Sequence, residues 1–436
     1  MMRNKSRKIV VVGCGKLGSP LIACLANVGH TVTGIDLNQK LIGDLQTGVV
    51  TWNEPGLPAL LAKNAHKISF QNSYQGAFEN AEITFVIVPT PSTKSGEFSN
   101  EYVLDAITQI GSELSKRKQK KHLVVIVSTV MPGSTGGEIK KALVTSTMSE
   151  FEGIEICYSP EFIALGSVIK NMQFPDLVLI GQESDSAGKL LEEVSLSIVK
   201  NKPRVSRLSL AEAEIAKIAI NSFVTTKISF SNQISEICEL TPNTSAMNVL
   251  EAIGNDSRIG KSYLSSGAAF GGPCFPRDNR AFNKYANSLG TSADLAIATD
   301  GVNARQNKRV LKLVSNLVAP GSRILVVGLS YKPDTDVIEE SPGLAFVKQA
   351  QSAGYQVDGI DDFVVPNQAE MALSIQKPSD LENADYDLAV LFVPSPSYSF
   401  IPKRLSNHTK LLDLWGLWIN SEQENYHRLG NYLAKE

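Results

Sequence analysis

The segment Lys8-Ile-Val-Val-Val-Gly-Cys-Gly-Lys-Leu-Gly18 is the strongest indication of fold in this 436-residue chain. Its run of four apolar β-branched residues predicts a short buried strand, and the glycines that follow predict a tight turn. A helical pattern comes next. Strand, glycine-rich turn and helix together are the opening unit of a doubly wound α/β fold with a parallel sheet.

Three more short apolar runs follow the same design. Thr31–Ile35, Ile83–Val88 and Leu123–Val127 are bounded by Gly, Pro or polar residues, and helical patterns fill the gaps between them. We therefore expect buried parallel strands with helices on both faces of the sheet.

The same pattern returns near the other end of the chain. Four segments there match four of the first part in the same order: Arg323–Gly328 with Lys8–Gly15, Gly354–Asp361 with Gly29–Asp36, Asp387–Pro396 with Ile83–Pro91, and Lys410–Leu414 with Leu123–Val127. The repeat predicts two Rossmann-like domains that face each other across a cleft.

Between the repeats, residues 210–240 contain neither Gly nor Pro. Apolar residues there recur at helical spacing, namely Ile215, Ile218, Ala219, Phe223 and Ile234. We expect one helix about 45 Å long that joins the two lobes, with room for a dimer interface on it.

The composition excludes several classes of protein. The net charge is −2, from 42 Lys and Arg against 44 Asp and Glu, which argues against nucleic acid as the main partner. With 43% hydrophobic and 20% charged residues, the chain is typical of a globular protein and unlike a disordered one. The basic cluster 116–121 is interpreted as a solvated helix end before the next strand.

We expect neither a membrane segment nor a targeting segment. No apolar run approaches the roughly 18 residues that a transmembrane helix needs. The basic segment 1–8 and the apolar run Ile9–Val12 imitate a signal peptide, but Gly13 ends the run too early.

The cysteines number five, are widely spaced and form no CxxC motif: Cys14, Cys24, Cys157, Cys238 and Cys274. This arrangement is neither a disulfide framework nor a zinc site, so we expect no metal and a reducing compartment, the cytoplasm.

The first glycine turn indicates a dinucleotide cofactor. Gly13 permits the turn, Gly15 lets a pyrophosphate approach a helix N-terminus, and Gly18 lets helix and strand pack closely. Asp36, eighteen residues after Gly18, can accept from both ribose hydroxyls and would repel a 2′-phosphate. The pattern predicts NAD rather than NADP. The alternative is an α/β domain whose glycines only make the turn.

The second lobe lacks this fingerprint. Its first turn, Gly328-Leu-Ser-Tyr-Lys332, has one glycine followed by bulky residues. Lys332 at the end of a strand can still hold a phosphate. The repeat therefore predicts NAD in one lobe and a nucleotide-like substrate in the other.

The loop Phe270-Gly-Gly-Pro-Cys-Phe-Pro-Arg-Asp278 carries the expected chemistry. Two glycines allow close backbone approach and two prolines stiffen the loop. The thiol of Cys274 could trap an aldehyde as a thiohemiacetal, which on a second oxidation becomes a thioester that water releases as an acid. Two alternatives leave Cys274 structural: a small buried hydrophobe, and a simple two-electron hydroxy-acid dehydrogenase.

Three polar residues share one face of the central helix. Glu214, Lys217 and Asn221 stand at i, i+3 and i+7. Lys217 and Asn221 could stabilise an oxyanion. A solvated polar stripe is the equally weighted alternative.

These motifs together resemble the nucleotide-sugar 6-dehydrogenases, the family of the UDP-glucose and GDP-mannose dehydrogenases. The resemblance covers nearly the whole chain. It rests on Gly13–Gly18, Glu54–Leu57, Val88–Pro91, Ser128–Val130, Ser159–Phe162, Glu214–Asn221, Arg258–Gly260, Phe270–Asp278 and Tyr331–Pro342.

The resemblance implies two successive NAD-dependent oxidations of a sugar C6 hydroxyl to a carboxylate, with UDP-glucose as the favoured substrate. It also implies a homodimer as the smallest assembly. GDP-mannose and UDP-N-acetylhexosamines are alternative substrates, and a non-catalytic protein that binds NAD or a nucleotide sugar is the alternative of another class.

The resemblance also assigns roles to residues. Cys274 would be the nucleophile, Lys217 and Asn221 the oxyanion donors, and Asp278 and Glu161 the groups that activate water, with Thr129 positioning it. The implied cofactor-binding residues are Gly13, Gly15, Lys16, Leu17, Gly18, Asp36, Pro89, Thr90, Ser128 and Thr129. The implied substrate-binding residues are Phe162, Lys217, Asn221, Arg258, Phe270, Gly271 and Lys332, of which Arg258 would reach a neighbouring subunit.

The implied domains are an NAD-binding domain at residues 1–205, a central helical domain for dimerisation and catalysis at 206–305, and a nucleotide-sugar-binding domain at 306–436. Three positions depart from the family pattern. Leu165 stands where a Glu near the substrate is usual, Glu339 where an Arg is usual, and Trp415 lies in Asp413–Gly416, where UDP-sugar enzymes often have Asp-x-Arg.

Overall fold

The computed structural model describes residues 5–117, 121–147, 153–365, 374–376, 381, 385–419 and 425–432. The chain forms two compact units, Met1–Ile218 and Ala219–Glu436. Among the described residues, no helix combines the length and the apolar character that crossing a bilayer requires. Part of the basic cluster 116–121 lies outside the described residues. Of the rest, Lys116 pairs with Glu113, whereas Arg117 donates to the Ala81 carbonyl oxygen at 2.9 Å.

The first unit is built around an eight-stranded sheet in the order β3-β2-β1-β4-β5-β6-β7-β8. Its strands are β1 (Lys8–Val12), β2 (Thr31–Ile35), β3 (Ile68–Gln71), β4 (Ile83–Val86), β5 (His122–Ile126), β6 (Ile154–Tyr158), β7 (Leu177–Gln182) and β8 (Arg204–Ser209). Its helices are α1 (Gly18–Asn27), α2 (Gln39–Gln46), α3 (Leu57–Lys63), α4 (Glu101–Ser115), α5 (Lys140–Ser146), α6 (Val168–Gln173) and α7 (Asp185–Ile198), with a 3₁₀ turn at Ala65–Lys67 and a π turn at Thr135–Ile139.

Two hydrophobic cores cover the two faces of this sheet. Alternate residues of β1 enter opposite cores: Ile9 and Val11 pack on one face, Val10 and Val12 on the other. A strand buried on both faces has to be apolar at every position, which explains the unbroken run in the sequence. The carboxyl ends of β1 and β4 are neighbours, which is the switch point where α/β sheets bind ligands.

All neighbouring strands of this sheet are parallel except β6 and β7, which are antiparallel. The four strands predicted from the sequence, β1, β2, β4 and β5, are parallel as expected, and the antiparallel pair lies outside them. The connection between them stays at the carboxyl edge of β6, because β7 starts beyond that edge and runs back along it. Residues 159–176, which include Glu161 and Phe162, are thereby kept at the ligand-binding edge of the sheet.

Helix α8 (Leu210–Glu239) continues from the first unit into the second. It matches the helix predicted for residues 210–240. The distribution of its side chains, however, differs from that of an ordinary surface helix, because large apolar side chains are exposed and many polar ones are buried. The large apolar side chains of Phe223, Phe230 and Ile237 are 67%, 46% and 59% exposed. Its buried positions include many polar residues: Glu214, Lys217, Asn221, Ser222, Thr225, Ser229, Ser231, Asn232, Ser235 and Glu239.

The second unit contains a six-stranded parallel sheet in the order β11-β10-β9-β12-β13-β14. Its strands are β9 (Arg323–Val327), β10 (Gln356–Ile360), β11 (Ser374–Gln376), β12 (Leu388–Leu391), β13 (Lys410–Asp413) and β14 (Tyr426–Arg428). Its helices are α9 (Ala246–Gly254), α10 (Phe275–Ser288), α11 (Asp294–Leu317) and α12 (Pro342–Ser352), with 3₁₀ turns at Pro396–Tyr398 and Ile401–Arg404.

The predicted repeat is visible in hydrogen bonds as well as in strand order. The Cys14 N–H donates to the Asp36 carboxylate at 2.8 Å, and the Leu329 N–H donates to the Asp361 carboxylate at 2.8 Å. In both lobes an acid at the end of the second strand therefore holds the turn after the first strand. The two parallel-sheet α/β lobes with a helical region between them confirm the predicted fold class.

The second lobe also has two glycines in close contact, as the first lobe does, and the repeat in the sequence did not predict this pair. A Cβ on Gly18 would lie 1.8 Å from the Gly13 carbonyl oxygen, and one on Gly343 would lie 2.5 Å from the Gly328 carbonyl oxygen. Five positions separate the first pair and fifteen the second, so the second lobe carries ten additional residues in this turn. Lys332 lies within this longer turn.

Candidate active site

The three glycines of the first turn have different surroundings. Gly13 has a φ of +97°, and a Cβ on it would lie 2.0 Å from the Ile87 carbonyl oxygen. At Gly18 a Cβ would collide with the Gly13 carbonyl oxygen, as described above. Gly15 has open space where its Cβ would be, with no heavy atom within 4 Å. The outer glycines thus permit the packing, while the middle one leaves room for a ligand at the N-terminus of α1. Lys16 and Leu17 complete this turn.

Asp36 lies at the carboxyl end of β2 and is partly exposed. Besides holding Cys14, its carboxylate accepts from the Asn38 N–H at 2.9 Å. The next residue, Leu37, is exposed and apolar, so no cation follows the carboxylate. A negative charge without an adjacent cation suits a ribose diol and disfavours a 2′-phosphate. The turn and Asp36 together fit NAD.

The loops after β4 and β5 are fastened to each other by hydroxyl groups. The Ser128 hydroxyl donates to the Val88 carbonyl oxygen at 2.7 Å and accepts from the Val88 N–H at 2.9 Å. The Thr90 hydroxyl donates to the Thr129 carbonyl oxygen at 2.7 Å. Ser128 and Thr90, both predicted to contact the cofactor, thus shape the loops that carry Pro89 and Thr129 at the switch point.

The catalytic candidates of the first unit form one cluster. The Lys217 ammonium donates to the Glu161 carbonyl oxygen at 2.8 Å and lies 4.6 Å from the Phe162 ring centre. Lys217 is buried. Burial raises the pKa of the Glu161 carboxyl to about 7, against the opposing effect of the Lys217 charge. A carboxyl with a pKa near 7 is suited to act as a general base or acid at neutral pH.

Glu214 anchors α8 within the first unit. Its carboxylate accepts from the Gly133 N–H at 2.6 Å and from the Thr135 N–H at 2.8 Å, and the residue is fully buried. Burial raises its pKa, and these hydrogen bonds act in the opposite direction. The sequence placed Glu214 on the same helix face as Lys217 without a role. Its role in the structure is to fix the turn of helix that carries Lys217.

The catalytic candidates of the second unit form another cluster. The Asn221 amide donates to the Asp278 carboxylate at 2.6 Å, and the Arg277 Nε donates to the other oxygen at 3.3 Å. Asp278 is 1% exposed. Cys274 occupies the N-cap position of α10, one helical turn before Asp278. Its thiol is exposed, whereas the other four cysteines are buried, so the alternative of Cys274 as a buried hydrophobe is wrong.

The two glycines before Cys274 bring its loop against the longer turn of the second lobe. A Cβ on Gly271 would lie 2.1 Å from the Glu340 carbonyl oxygen, and one on Gly272 would lie 2.4 Å from the Tyr331 ring. The Gly272 N–H donates to the Glu339 carbonyl oxygen at 3.1 Å. The structure thereby joins the loop of Phe270, Gly271 and Cys274 to the turn that carries Lys332.

Lys332 and Arg258, both predicted to bind substrate, differ in their settings. The Lys332 ammonium donates to the Pro333 carbonyl oxygen at 3.1 Å, within the longer turn. The Arg258 side chain is 87% exposed and pairs with Asp256 at 2.7 Å. The loop after Arg258 is held by Lys227 of α8, which donates to the carbonyl oxygens of Ile259 and Gly260 at 3.2 Å. The loop after Arg258 therefore contacts α8 at Lys227, a position between Phe223 and Phe230 on the helix.

Known proteins match this chain over almost its whole length. The NAD binding domain of the UDP-glucose/GDP-mannose dehydrogenase family matches residues 7–198, the central domain 211–305 and the UDP binding domain 325–419. The chain belongs to this family. It is an NAD-dependent nucleotide-sugar dehydrogenase, as its sequence predicts.

The relatives include two UDP-glucose 6-dehydrogenases. AglM of Haloferax volcanii is 33% identical over 371 residues, which cover 83% of this chain and 85% of that protein. TuaD of Bacillus subtilis is 32% identical over 364 residues, 83% of this chain and 77% of that protein. Among solved structures, a UDP-glucose dehydrogenase of Pyrobaculum islandicum has a TM-score of 0.88 at 26% identity and covers 99% of both chains.

The three departures from the family pattern have distinct surroundings. Leu165 packs against the core of the first unit. Glu339 is exposed, and its backbone carbonyl oxygen accepts the hydrogen bond from the Gly272 N–H described above. Trp415 packs its ring onto Gly267, where a Cβ would lie 2.5 Å from it, and its indole N–H donates to the Phe392 carbonyl oxygen at 2.9 Å. These side chains are thus accommodated locally, without the charges that the family pattern has at these positions.

Proposed function

We propose that this enzyme oxidises the C6 hydroxyl of UDP-glucose to a carboxylate in two successive NAD-dependent steps. The observation that carries the proposal is the exposed Cys274 thiol at the start of α10, one turn before the buried Asp278–Asn221 pair. A simple two-electron alcohol oxidation needs no such nucleophile. The UDP-glucose 6-dehydrogenases at 33% and 32% identity support the choice of substrate.

NAD⁺, when bound, accepts a hydride in each of the two oxidations. The chain would hold it with the open Gly15, the backbone N–H groups at the start of α1, and the Asp36 carboxylate toward the ribose. Lys16, Leu17, Pro89, Thr90 and Ser128 would complete the walls of this site.

Cys274 retains the substrate between the two oxidations. In the first, C6 loses a hydride and its hydroxyl a proton, which gives an aldehyde. The thiol adds to the aldehyde carbon, and the S–C bond gives a thiohemiacetal. Loss of a second hydride and a second proton leaves a thioester. Water then attacks this carbon, the C–S bond breaks, and the acid leaves as the thiol is restored. The N–H groups at the start of α10 favour the negative thiolate.

Lys217 and Asn221 stabilise the oxyanion that forms when sulfur or water adds to the carbon. They stand at i and i+4 of α8, so one turn of a continuous helix separates them. The Asn221 Nδ2 carries two hydrogens, of which one is given to Asp278. The second is available to the oxyanion. The buried position of both residues supports this role over that of a solvated stripe.

Glu161 and Asp278 activate the water that releases the product. With a pKa of about 7, Glu161 can take a proton from water at neutral pH and return it later. Thr129, at the carboxyl end of β5, positions this water beside the cofactor. Phe162, Phe270 and Gly271 line the sugar site, and Lys332 binds the diphosphate of the substrate.

The enzyme is proposed to act as a homodimer through the exposed face of α8. Phe223, Phe230 and Ile237 recur every seven residues, which is the spacing of a helix–helix seam. A second copy presents the same stripe, so the face is self-complementary about a twofold axis. The loop after Arg258 contacts α8 at Lys227, and Arg258 would reach the sugar site of the second copy.

The domain division 1–205, 206–305 and 306–436 is kept as part of the proposal. The three family matches support it, since they fall within these limits. The cytoplasm is the proposed compartment, because all five cysteines are thiols rather than disulfides and the chemistry depends on one of them. The uronic acid product would serve polysaccharide synthesis.

NADH production from a panel of nucleotide sugars tests the proposal. UDP-glucose should yield two NADH per UDP-glucuronate, and GDP-mannose, UDP-N-acetylglucosamine, UDP-N-acetylgalactosamine and UDP-N-acetylmannosamine should react far more slowly. GDP-mannose is the second candidate, favoured by Trp415 in the Asp413–Gly416 run. Faster turnover of GDP-mannose would replace the substrate. One NADH with an aldehyde product would overturn the four-electron mechanism, and no turnover of any sugar would favour a binding protein.

A further inference from the structure

Helix α11 presents a row of three amide side chains, Asn303, Gln306 and Asn307. Their spacing of i, i+3 and i+4 places them on one face of the helix. Gln306 is 2% exposed and Asn307 is also buried. A row of buried amides has to find hydrogen-bond partners, and here the partners are backbone groups of two loops.

The first loop is the one that leads to Cys274. Asn303 bonds twice to one residue: its Oδ1 accepts from the Phe270 N–H at 2.8 Å and its Nδ2 donates to the Phe270 carbonyl oxygen at 2.9 Å. The Gln306 amide donates to the Gly267 carbonyl oxygen at 2.7 Å. On the other side of Gly267, its N–H donates to Asn232 of α8 at 2.9 Å. The loop backbone is therefore fixed at two points three residues apart.

The orientation of these amides is determined by their partners. Asn303 faces one donor and one acceptor, so only one of its two amide orientations satisfies both. The Gln306 Oε1 accepts from Arg309 at 3.2 Å, and because an arginine can only donate, the Gln306 NH₂ has to face Gly267. Arg309 is in turn paired with the buried Glu239 at 2.6 Å.

The second loop is the longer turn of the second lobe. Asn307 donates to the Pro342 carbonyl oxygen at 3.0 Å, at the end of that turn. The two loops also touch directly, through the Gly272–Glu339 hydrogen bond and the close approach of Gly271 to Glu340. One helix face thus sets the position of the cysteine loop relative to the turn that carries Lys332.

We propose that Asn303 is a positioning residue for the dehydrogenase reaction. Its double bond to Phe270 fixes the main chain of Phe270 and Gly271, and through it places the Cys274 thiol, four residues later, relative to Lys332. The inference rests on the proposed function, in which Cys274 attacks a sugar whose diphosphate is held by Lys332. Asn303 would act through the main chain of Phe270, to which both of its hydrogen bonds are made.

Kinetics of Asn303→Ala test this role, with Asn316→Ala as the control. Asn316 is an exposed asparagine of the same helix, so its loss should leave turnover unchanged. Because a displacement of about 1 Å can cost roughly 10²-fold, kcat of Asn303→Ala for UDP-glucose should fall by about 10²-fold. The Kd for NAD should stay unchanged, because the proposed cofactor residues all lie in residues 13–129. Because the NAD site belongs to the first unit, the urea denaturation midpoint of Asn303→Ala, measured beside that of Asn316→Ala, shows whether the second unit is folded.

Asn303→Asp supplies a readout that a merely structural residue would not move. An ionised aspartate accepts from the Phe270 N–H but repels the Phe270 carbonyl oxygen. A protonated aspartic acid can both accept and donate, as the amide does. The ratio of its kcat to that of the wild type should therefore rise as the pH is lowered from about 8 toward about 5, nearer the range where an aspartic acid protonates. A ratio that does not change with pH contradicts the inference.

Alkylation of Cys274 by iodoacetamide separates this inference from the proposed function, since it needs no substrate. Removal of Asn303 should shift the loop that leads to Cys274 and change the surroundings of its thiol, so the rate for Asn303→Ala should differ at least roughly threefold from the rates for the wild type and Asn316→Ala. If the wild type oxidises no nucleotide sugar, the proposed function fails, and equal alkylation rates would then overturn the positioning role as well. If the wild type is active, turnover by Asn303→Ala within about threefold of it overturns the inference.

Discussion

The amide of Asn221 donates to the carboxylate of Asp278 across 2.6 Å, and both side chains are buried. The pair joins helix α8 to helix α10 within the second unit. It fixes the direction in which the carboxylate points and leaves one amide hydrogen for another partner. The orientation of the Asp278 carboxylate on α10 therefore depends on Asn221 of α8.

Loss of this amide should be costly for stability. In Asn221→Ala the Asp278 carboxylate loses a charge-assisted donor in a buried site, which should lower the free energy of unfolding by about 1–3 kcal/mol. Gln233→Ala, at an exposed position of the same helix, should change it by less than about 0.5 kcal/mol. Urea denaturation of both variants measures the difference. Equal midpoints would show that the Asn221–Asp278 bond contributes nothing.

Native alkylation should label one cysteine. Cys274 is exposed and the other four thiols are buried, so iodoacetamide should add one label to the folded wild type and none to Cys274→Ala. The same variant should form no uronic acid, because the aldehyde has no thiol to bind. Intact mass and product analysis check both results. Acid formation by Cys274→Ala at the wild-type rate would remove the covalent mechanism.

The release of product should depend on pH through Glu161. Its pKa is raised by burial to about 7, so the carboxylate that accepts a proton from water exists mainly above that pH. The rate of thioester hydrolysis should therefore rise with pH through about 7 and be reduced below it. Glu161→Gln cannot accept the proton, so its residual rate should lack this step. Single-turnover hydrolysis measured from pH 5.5 to 8.5 tests it, and the same profile in both proteins would contradict the assignment.

Assembly should fail when a charge is placed in the apolar stripe of α8. Phe230→Asp puts a carboxylate in the middle of the proposed seam, where burial without a partner is unfavourable. We expect a monomer by light scattering and a loss of activity, because Arg258 would no longer reach a second copy. Phe174→Asp, at an exposed apolar position of the first unit, should remain a dimer. A dimeric Phe230→Asp would move the interface elsewhere.

The preference for NAD should weaken when Asp36 loses its charge. Asp36→Asn keeps the size of the side chain but removes the repulsion of a 2′-phosphate and weakens the hydrogen bonds to the ribose. The ratio of kcat/KM for NAD over NADP should fall by about 10–100-fold, the equivalent of roughly 1.5–3 kcal/mol. Asp185→Asn, at an exposed site on α7, serves as the control. An unchanged ratio would show that another group selects the cofactor.

Much of the fold could be predicted because its signals are local. The apolar run of β1 and the glycines after it determine a strand, a turn and a helix within eleven residues. The direction of β7 could not be predicted in the same way. A short apolar strand such as Leu177–Gln182 has the same pattern whether it runs parallel or antiparallel to its neighbour.

Helix α8 shows a second limit of prediction from the sequence. Its length was predicted correctly, but the apolar stripe that includes Phe223 did not show in the sequence whether it packs inward or faces solvent. Periodicity shows that a face is apolar without showing what covers it. In the structure the inward face is polar, with Lys217 and Asn221 on it, and Phe223 points outward.

The contacts of Asn303 illustrate a third limit. Its partner Phe270 is 33 positions away in the sequence. No local sequence pattern predicts that an amide on a helix will bond to the backbone of another segment. Glu214 was a similar case. Its position beside Lys217 was visible, but its partners Gly133 and Thr135 lie some eighty residues earlier. The roles of such residues can be recognised only from the tertiary structure, which shows which segments lie together.

The longer turn between Gly328 and Gly343 bears on how such proteins diversify. The two lobes share their strand order, the acid after the second strand and the close glycine pair, so the scaffold of each is nearly the same. Apart from β7 and β8 at the edge of the first sheet, a clear difference is the ten additional residues at one turn of the second lobe. A duplicated nucleotide-binding lobe can thus change its specificity by lengthening a single surface connection, while its sheet and both of its cores stay as they were.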